Sequence, residues 1–324
     1  MSEAAPGPLD GGPRMVLGIM RFGTTTSEAT AFALLDRWAE AGGRWLDTAN
    51  CYAYWSSPSG HGGQSEQVLG RWLEANPGVR PQIAIATKVG CEAVPPEKNP
   101  AGTEGLAGPV VKQGLRDSLE RMHTDYVDLY WAHRDDHVVP QGETVAAFTE
   151  LVAGGSARRW GYSNAALWRV ERARSIAAVS GQATPTALQL RYSYLQPRPF
   201  VRDHIHDHRF GWVDDQTLDY VDHNPEVEIW AYTPQMEGAY DRPERPINPA
   251  FDHPGSTKRL EALTRVAADL GWSRGQVVLA WMTGAPTPVA PIVGVSSLAQ
   301  LEAAITATST PLPAELQQSL DQPW

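Results

Sequence analysis

Short apolar runs recur along the chain with room for about one helix between each and the next. They read as strands at Met15–Ile19, Arg44–Thr48, Ile83–Lys88, Tyr126–His133, Arg159–Ser163, Ala187–Tyr192, Val227–Tyr232 and Val289–Val293. The segments between them carry helical spacing. Ser27 to Gly42 places Phe32, Leu35 and Trp38 on one face, with Ser27 as N-cap and Gly42-Gly43 as the stop. Val111, Leu115, Leu119 and Met122 form a second stripe, and Leu151, Val170, Leu263 and Val278 lie in others. Eight β-α units in unbroken order predict a parallel sheet covered by helices, and that number suggests closure. An open doubly wound sheet is disfavoured, because no G-x-G-x-x-G follows an early strand; Gly60-His61-Gly62-Gly63 comes nearest and follows none. The expected fold is an α/β (β/α)8 TIM barrel, one domain over residues 15–324, preceded by a flexible segment at 1–14.

Four connections are long: Ala53–Gln64, Glu92–Gly108, Leu195–Asp214 and Met236–Gly255. Each follows a strand, so all four are expected over the C-terminal mouth, where barrel enzymes keep their sites. The residues at the strand ends are Asp47, Lys88, His133, Asn164 just beyond Ser163, Gln189, Tyr232 and Gly294. Lys88 closes the run Ile-Ala-Ile-Ala-Thr, so its stem is buried and its ammonium must find a partner. Asp47 is the available one.

Composition narrows the picture without pointing to a substrate. A chain of 324 residues holds one barrel of roughly 250 residues with insertions. A net charge of −10 argues against nucleic acid or an anionic membrane as partner. Cys51 and Cys91 make no disulfide framework and have no CxxC neighbour. The first 14 residues lack the apolar core of a signal peptide, and no 18 apolar residues run together. A cytoplasmic protein acting on a small molecule is expected, with homo-oligomerisation left open. The tract Asp203-His204-Ile205-His206-Asp207-His208 resembles a metal tract, but it reads as a polar loop, and no metal is expected.

Several runs, in order and at consistent spacing, resemble the aldo-keto reductases from about Met15 to Ala304. They are Leu46-Asp47-Thr48-Ala49-Asn50-Cys51-Tyr52; Ser65-Glu66 with Leu69-Gly70; Ala86-Thr87-Lys88; Ser118 to Arg121 through Asp125 to Tyr130 and His133-Arg134; Gly161-Tyr162-Ser163-Asn164; Gln189; Ala231-Tyr232-Thr233-Pro234; and Pro291 to Gly294 leading to Gln300-Leu301-Glu302. The resemblance implies an NAD(P)H-dependent reduction of an aldehyde or ketone, with a tetrad of Asp47, Tyr52, Lys88 and His133. Tyr52 would give the proton. Its free pKa of about 10 is too high to exchange readily near neutrality, and Lys88 is expected to pull it down. Asp47 would keep Lys88 charged and aimed, and His133 would donate to the carbonyl oxygen. By the same resemblance Ser163, Asn164 and Gln189 bind the carboxamide of the nicotinamide and Tyr232 stacks on its ring. Thr233, Pro234, Gly294, Ser296, Ser297 and Gln300 complete the cofactor contacts.

The chain also departs from the family's pattern. Ala53 follows Tyr52 where glycine is common, and the insertion before Ser65 carries Tyr54, Trp55 and His61. Tyr54, Trp55 and Trp212 are candidates for the substrate wall, with Trp324 a further one. No Lys or Arg occurs after Arg274, although the family places a cation near the 2′-phosphate of NADPH, and Ala304 stands where Asn or Glu is common. Serines, backbone N–H groups near Ser297, or Arg242 and Arg245 offset part of that loss. NADP(H) is therefore expected with weakened discrimination, and NAD(H) stays open. No N-terminal hairpin is visible in the first 14 residues. A barrel glycosidase is disfavoured, because it needs two carboxylates at the mouth and only Asp47 is offered. The other alternative is a cofactor-binding regulatory subunit of the potassium-channel β-subunit type.

Overall fold

All eight expected strands form, within two residues of their expected bounds. They are β1 (Val16–Gly18), β2 (Trp45–Asp47), β3 (Ala84–Val89), β4 (Val127–Ala132), β5 (Ala157–Ser163), β6 (Ala187–Arg191), β7 (Glu228–Tyr232) and β8 (Ala290–Gly294). In the computed structural model, which describes residues 6–96, 102–199 and 211–324, every neighbouring pair is parallel and the order is consecutive. β8 closes on β1 through Val16↔Ile292, Leu17↔Val293 and Gly18↔Gly294. The result is a closed (β/α)8 barrel.

Ten helices surround it among the described residues: α1 (Glu28–Glu40), α2 (Gln64–Ala75), α3 (Gly108–Met122), α4 (Gln141–Ala153), α5 (Leu167–Val179), α6 (Asp215–Asp222), α7 (Pro254–Leu270), α8 (Arg274–Gly284), α9 (Leu298–Ser309) and α10 (Ala314–Asp321). α1 begins where Ser27 accepts a hydrogen bond from Thr30 N and ends before Gly42, which takes φ +75°. Leu34, Leu35 and Trp38 are its buried face, while Phe32 is only partly buried.

Because successive strand side chains point to opposite faces, every strand but β5 feeds two cores. Leu17, Leu46, Ile85, Leu188, Ile229 and Val293 join the core shared with the helices. Val16, Trp45, Ala84, Ala86, Leu129, Trp131, Ala187, Trp230, Ala290 and Ile292 form a separate cluster inside the barrel. Three indoles dominate that interior. Trp45 and Trp131 each meet Trp230 edge to face, at 5.0 and 5.3 Å between ring centres, a geometry favoured by the ring quadrupole. Alanines and Gly161 make the room. A Cβ at Gly161 would lie 2.5 Å from the Ala187 carbonyl oxygen and 2.7 Å from the Trp131 ring.

The barrel floor carries an ion pair, Arg159 with Glu228 at 2.6 Å. Residues 6–14 form turns rather than a hairpin. Trp45 Nε1 donates to the Pro6 carbonyl at 2.8 Å, and Leu9 packs against the interior cluster. The long connections at the other end hold local structure that their composition does not predict. A 3-10 turn spans Tyr54–Ser56, a two-stranded ladder pairs Ala93–Val94 with Gly102–Thr103, and further 3-10 turns span Met236–Gly238 and Pro249–Phe251. Among the described residues, no helix is long and apolar enough to cross a membrane.

Candidate active site

The alternation that fills the barrel with apolar side chains, carried one step further, supplies the polar residues at its mouth. Two residues beyond Trp45 stands Asp47; beyond Ala86, Lys88; beyond Trp131, His133; beyond Gly161, Ser163; beyond Ala187, Gln189; and beyond Trp230, Tyr232. Strand register levels them, with Gly18 opposite Asp47, and Ser163 opposite Gln189. The polar set is thus the top layer of the barrel interior.

Lys88 is fully buried at 0% exposure, and each of its three donors is used. Nζ donates to Asp47 Oδ2 at 2.5 Å, to the Thr48 carbonyl at 2.7 Å and to Tyr52 Oη at 3.0 Å. The other Asp47 oxygen accepts from Gln189 Nε2 at 2.9 Å. Burial pushes the Asp47 carboxyl above its ordinary range, opposed by the Lys88 ammonium and the Gln189 amide. Tyr52 behaves otherwise than the sequence suggests. Burial pushes its phenol well above the ordinary value and the nearby Asp47 charge adds to the rise, so the expected pull downward by Lys88 does not prevail. The phenol therefore stays protonated.

His133 stands edge to face with the Tyr52 ring, 5.6 Å between centres. Its Nδ1 lies 3.5 Å from Cys51 Sγ, and its carbonyl accepts from Asn164 Nδ2 at 3.1 Å. Burial, helped by the Lys88 and Arg134 charges, holds the imidazole well below its ordinary pKa. The ring is neutral at pH 7.

The residues expected to contact a nicotinamide gather on the same rim. Asn164 takes a left-handed backbone at φ 53° and donates from Nδ2 to Ser163 Oγ at 3.0 Å, while its Oδ1 accepts from Tyr232 Oη at 2.8 Å. Thr233 is also left-handed at φ 53°, and among the described residues its buried Oγ1 has no hydrogen-bond partner. The Pro234 carbonyl accepts from Ser193 Oγ at 2.6 Å. Gly294 and Ser296 are exposed at the end of β8. Ser297 caps α9 by accepting from Gln300 N at 3.3 Å, and Gln300 Oε1 accepts from Ser296 N at 2.8 Å. Arg245 is tied to its own loop through the Glu237 carbonyl at 2.8 Å. The half-buried Arg242 lies against Gly238.

Of the residues expected at the substrate wall, Trp55 is 37% exposed and stands edge-on to Tyr52 at 6.4 Å and to Tyr54 at 5.2 Å. His61 Nδ1 is 3.3 Å from Glu92 Oε1. Trp212 sits beneath the Arg191 guanidinium at 4.7 Å and against Phe251 at 5.9 Å. Trp324 is 79% exposed beyond α10, which packs on α7 and α8. Sequence reasoning misses two further parts of the site. One is the Cys51 contact with His133. The other is Glu104, whose Oε1 accepts from Asn50 Nδ2 at 2.8 Å, Gly90 N at 2.7 Å and Glu92 N at 3.2 Å, joining the loops after β2 and β3. Among the described residues no group of three or more His, Cys, Asp or Glu is placed to hold a metal, and the 203–208 tract lies outside them.

Residues 14–324 match the profile of the "Aldo/keto reductase family". The chain is 28% identical over 324 residues to the uncharacterized oxidoreductase YrpG of Bacillus subtilis, covering 95% of this chain and 91% of that one. It is 30% identical over 287 residues to a candidate voltage-gated potassium channel subunit beta of Schizosaccharomyces pombe, covering 85% and 77%. The holo form of aldo-keto reductase AKR11C1 from Bacillus halodurans superposes with a TM-score of 0.70 at 25% identity, covering 95% and 91%. A closed parallel barrel, a buried lysine network at its mouth and a profile match over nearly the whole chain agree: this protein belongs to the aldo/keto reductase family.

Proposed function

We propose that this chain reduces an aldehyde or ketone to an alcohol, using NADPH or NADH. One observation carries the reading: a fully buried ammonium joins the Asp47 carboxylate to the Tyr52 hydroxyl, at 2.5 and 3.0 Å. An ammonium there costs desolvation, and Asp47 offsets it. Its use becomes plain when Tyr52 gives its proton to a carbonyl oxygen. The phenolate left behind sits 3.0 Å from a positive charge, which stabilises the transition state more than the resting phenol. Neutral His133 donates a hydrogen bond to the same oxygen and orients it. Asp47 and Gln189 keep the ammonium aimed.

The residues at the rim fit a nicotinamide cofactor, which supplies hydride when bound. The buried hydroxyl of Thr233 asks for a polar partner, and none of the described residues provides one. Ser163, Asn164 and Gln189 would hold the carboxamide, Tyr232 the ring face, and Thr233, Pro234 and Gly294 its surroundings. Ser296, Ser297 and Gln300 at the start of α9, with Arg242 from the loop after β7, would hold the distal phosphate. Trp55 and Tyr54 would form one wall of the substrate pocket, and Trp212 another part of it.

The Schizosaccharomyces pombe relative motivates the alternative of a cofactor-binding regulatory subunit. The oxidoreductase relative and the solved aldo-keto reductase weigh towards turnover. Following the loss of reduced-cofactor absorbance across small aldehydes, ketones and keto-sugars separates the two. Turnover that falls about a thousandfold in Tyr52→Phe, with cofactor binding retained, is the expected result. Cofactor binding without turnover on any carbonyl would favour the regulatory role.

A further inference from the structure

The proposed chemistry asks His133 to donate a hydrogen bond, and a neutral imidazole has a single N–H. Whichever nitrogen carries it decides whether the other edge of the ring donates or accepts. The ring is otherwise well constrained. Asn164 holds its backbone carbonyl at 3.1 Å, and Tyr52 packs edge to face against it at 5.6 Å. Among the described residues its Nδ1 has one hydrogen-bond partner, the Cys51 sulfur at 3.5 Å, and its Nε2 has none. Cys51 is only 2% exposed and immediately precedes Tyr52, so the same turn presents the acid and touches the histidine.

We propose that Cys51 is a positioning residue: its S–H donates to His133 Nδ1, which holds the ring proton on Nε2 and keeps the imidazole a donor towards the substrate oxygen. The inference rests on the reductase reading for its purpose, though not for its geometry. The protonation states agree with it. Burial pushes the Cys51 thiol well above its ordinary range, so it carries its proton at neutral pH. Burial, with Lys88 from β3 and Arg134 from the histidine's own loop, keeps the ring uncharged; the other titratable groups against it are Cys51 and Tyr52 from the loop after β2. A protonated thiol beside an imidazole nitrogen is better used as donor than as acceptor, because an unprotonated imidazole nitrogen accepts more strongly than a thiol sulfur. The opposite tautomer would turn a lone pair towards the carbonyl oxygen and repel it.

The test reads the tautomer directly. Two-bond proton–nitrogen NMR of the full-length protein, with and without NADPH, separates protonated from unprotonated ring nitrogens, and His133→Asn identifies the His133 signals. The wild type is expected to show the proton on Nε2. Cys51→Ala and the bulkier Cys51→Val should shift the ring towards a mixture of tautomers, and Cys51→Ser should restore it. In parallel, kcat should fall about fivefold in both Ala and Val variants, the size of one neutral hydrogen bond. Cofactor affinity should hold, and Ser should recover kcat to within about twofold. A proton found on Nδ1 in the wild type overturns the proposal. So do Ala and Val variants that keep both the wild-type tautomer and kcat, since Cys51 then merely fills space. The Nε2–H tautomer in a protein that turns over no carbonyl supports the assignment while overturning the reductase reading.

Discussion

Replacing Lys88 with methionine exposes what the buried ammonium does, because methionine has similar length and leaves no large cavity. In the wild type Nζ satisfies Asp47 Oδ2, the Thr48 carbonyl and Tyr52 Oη at 2.5, 2.7 and 3.0 Å. After substitution the Asp47 carboxylate, 3% exposed, keeps one donor, Gln189 Nε2 at 2.9 Å. Removing one partner of a buried ion pair costs about 3–5 kcal/mol. That corresponds to a fall of about 1–1.7 M in the urea midpoint for a slope near 3 kcal/mol per M. The double variant Asp47→Asn/Lys88→Met removes both charges and keeps an amide beside Gln189. It should recover about 2 kcal/mol or more, since an apolar replacement of a whole buried pair is often near neutral. Both variants should be inactive.

Acidification supplies the control. Without the ammonium, the Asp47 carboxyl has a folded pKa raised above its unfolded value, in the direction burial already drives it. Such a group favours the fold below the unfolded value and loses that contribution as pH rises through the folded one. The deficit of Lys88→Met should therefore shrink between pH 7 and the ordinary carboxylate range near 4, while the double variant shows no such recovery. A single variant within about 1 kcal/mol of wild type at pH 7, or a deficit that ignores pH, would refute the claim that Asp47 depends on Lys88 for its charge.

Three further outcomes test other parts of the structure. Gly161→Ala places a Cβ 2.5 Å from the Ala187 carbonyl and 2.7 Å from the Trp131 ring, so it should lower stability by about 3 kcal/mol; an unchanged urea midpoint contradicts the described packing. With Arg242 the cation proposed to meet the distal phosphate, cofactor titration should show less than a hundredfold preference for NADPH over NADH (about 2.7 kcal/mol), and Arg242→Ala should weaken NADPH the more; a larger preference sinks the idea. His133, held below its ordinary pKa, takes up a proton more readily in the unfolded chain, so its contribution to stability is present above the ordinary histidine range and lost as pH falls from there through the lower folded value. His133→Asn should flatten the dependence of the urea midpoint between about pH 7.5 and 5.5, and an equal dependence in both proteins removes the argument.

How legible the site is in the sequence depends on which physical effect each part needs. The strands read clearly because Ile83–Lys88 or Tyr126–His133 is apolar on both faces, as a sheet covered on both sides requires. For the same reason apolarity alone does not say whether Trp45 or Leu46, Trp131 or Tyr130, faces the barrel interior. The tie is broken at the end of the run. Asp47 and Lys88 share a side of their strands with Trp45 and Ala86, and His133 with Trp131, so the polar ends reveal both the inward face and the chemistry. What remains hidden needs distance or balance. Cys51 and His133 stand 82 residues apart, and Asn50 and Glu104 stand 54 apart; neither pair has a local pattern to betray it. The direction of the Tyr52 pKa is hidden for another reason. The sequence names the attracting charge, Lys88, whereas the larger effect is burial, which belongs to the whole assembly. It follows that the indole layer and the polar layer are one construction. Trp131 supports the strand that ends at His133, and Gly161 admits Trp131, so a change two residues below the mouth should move the chemistry above it.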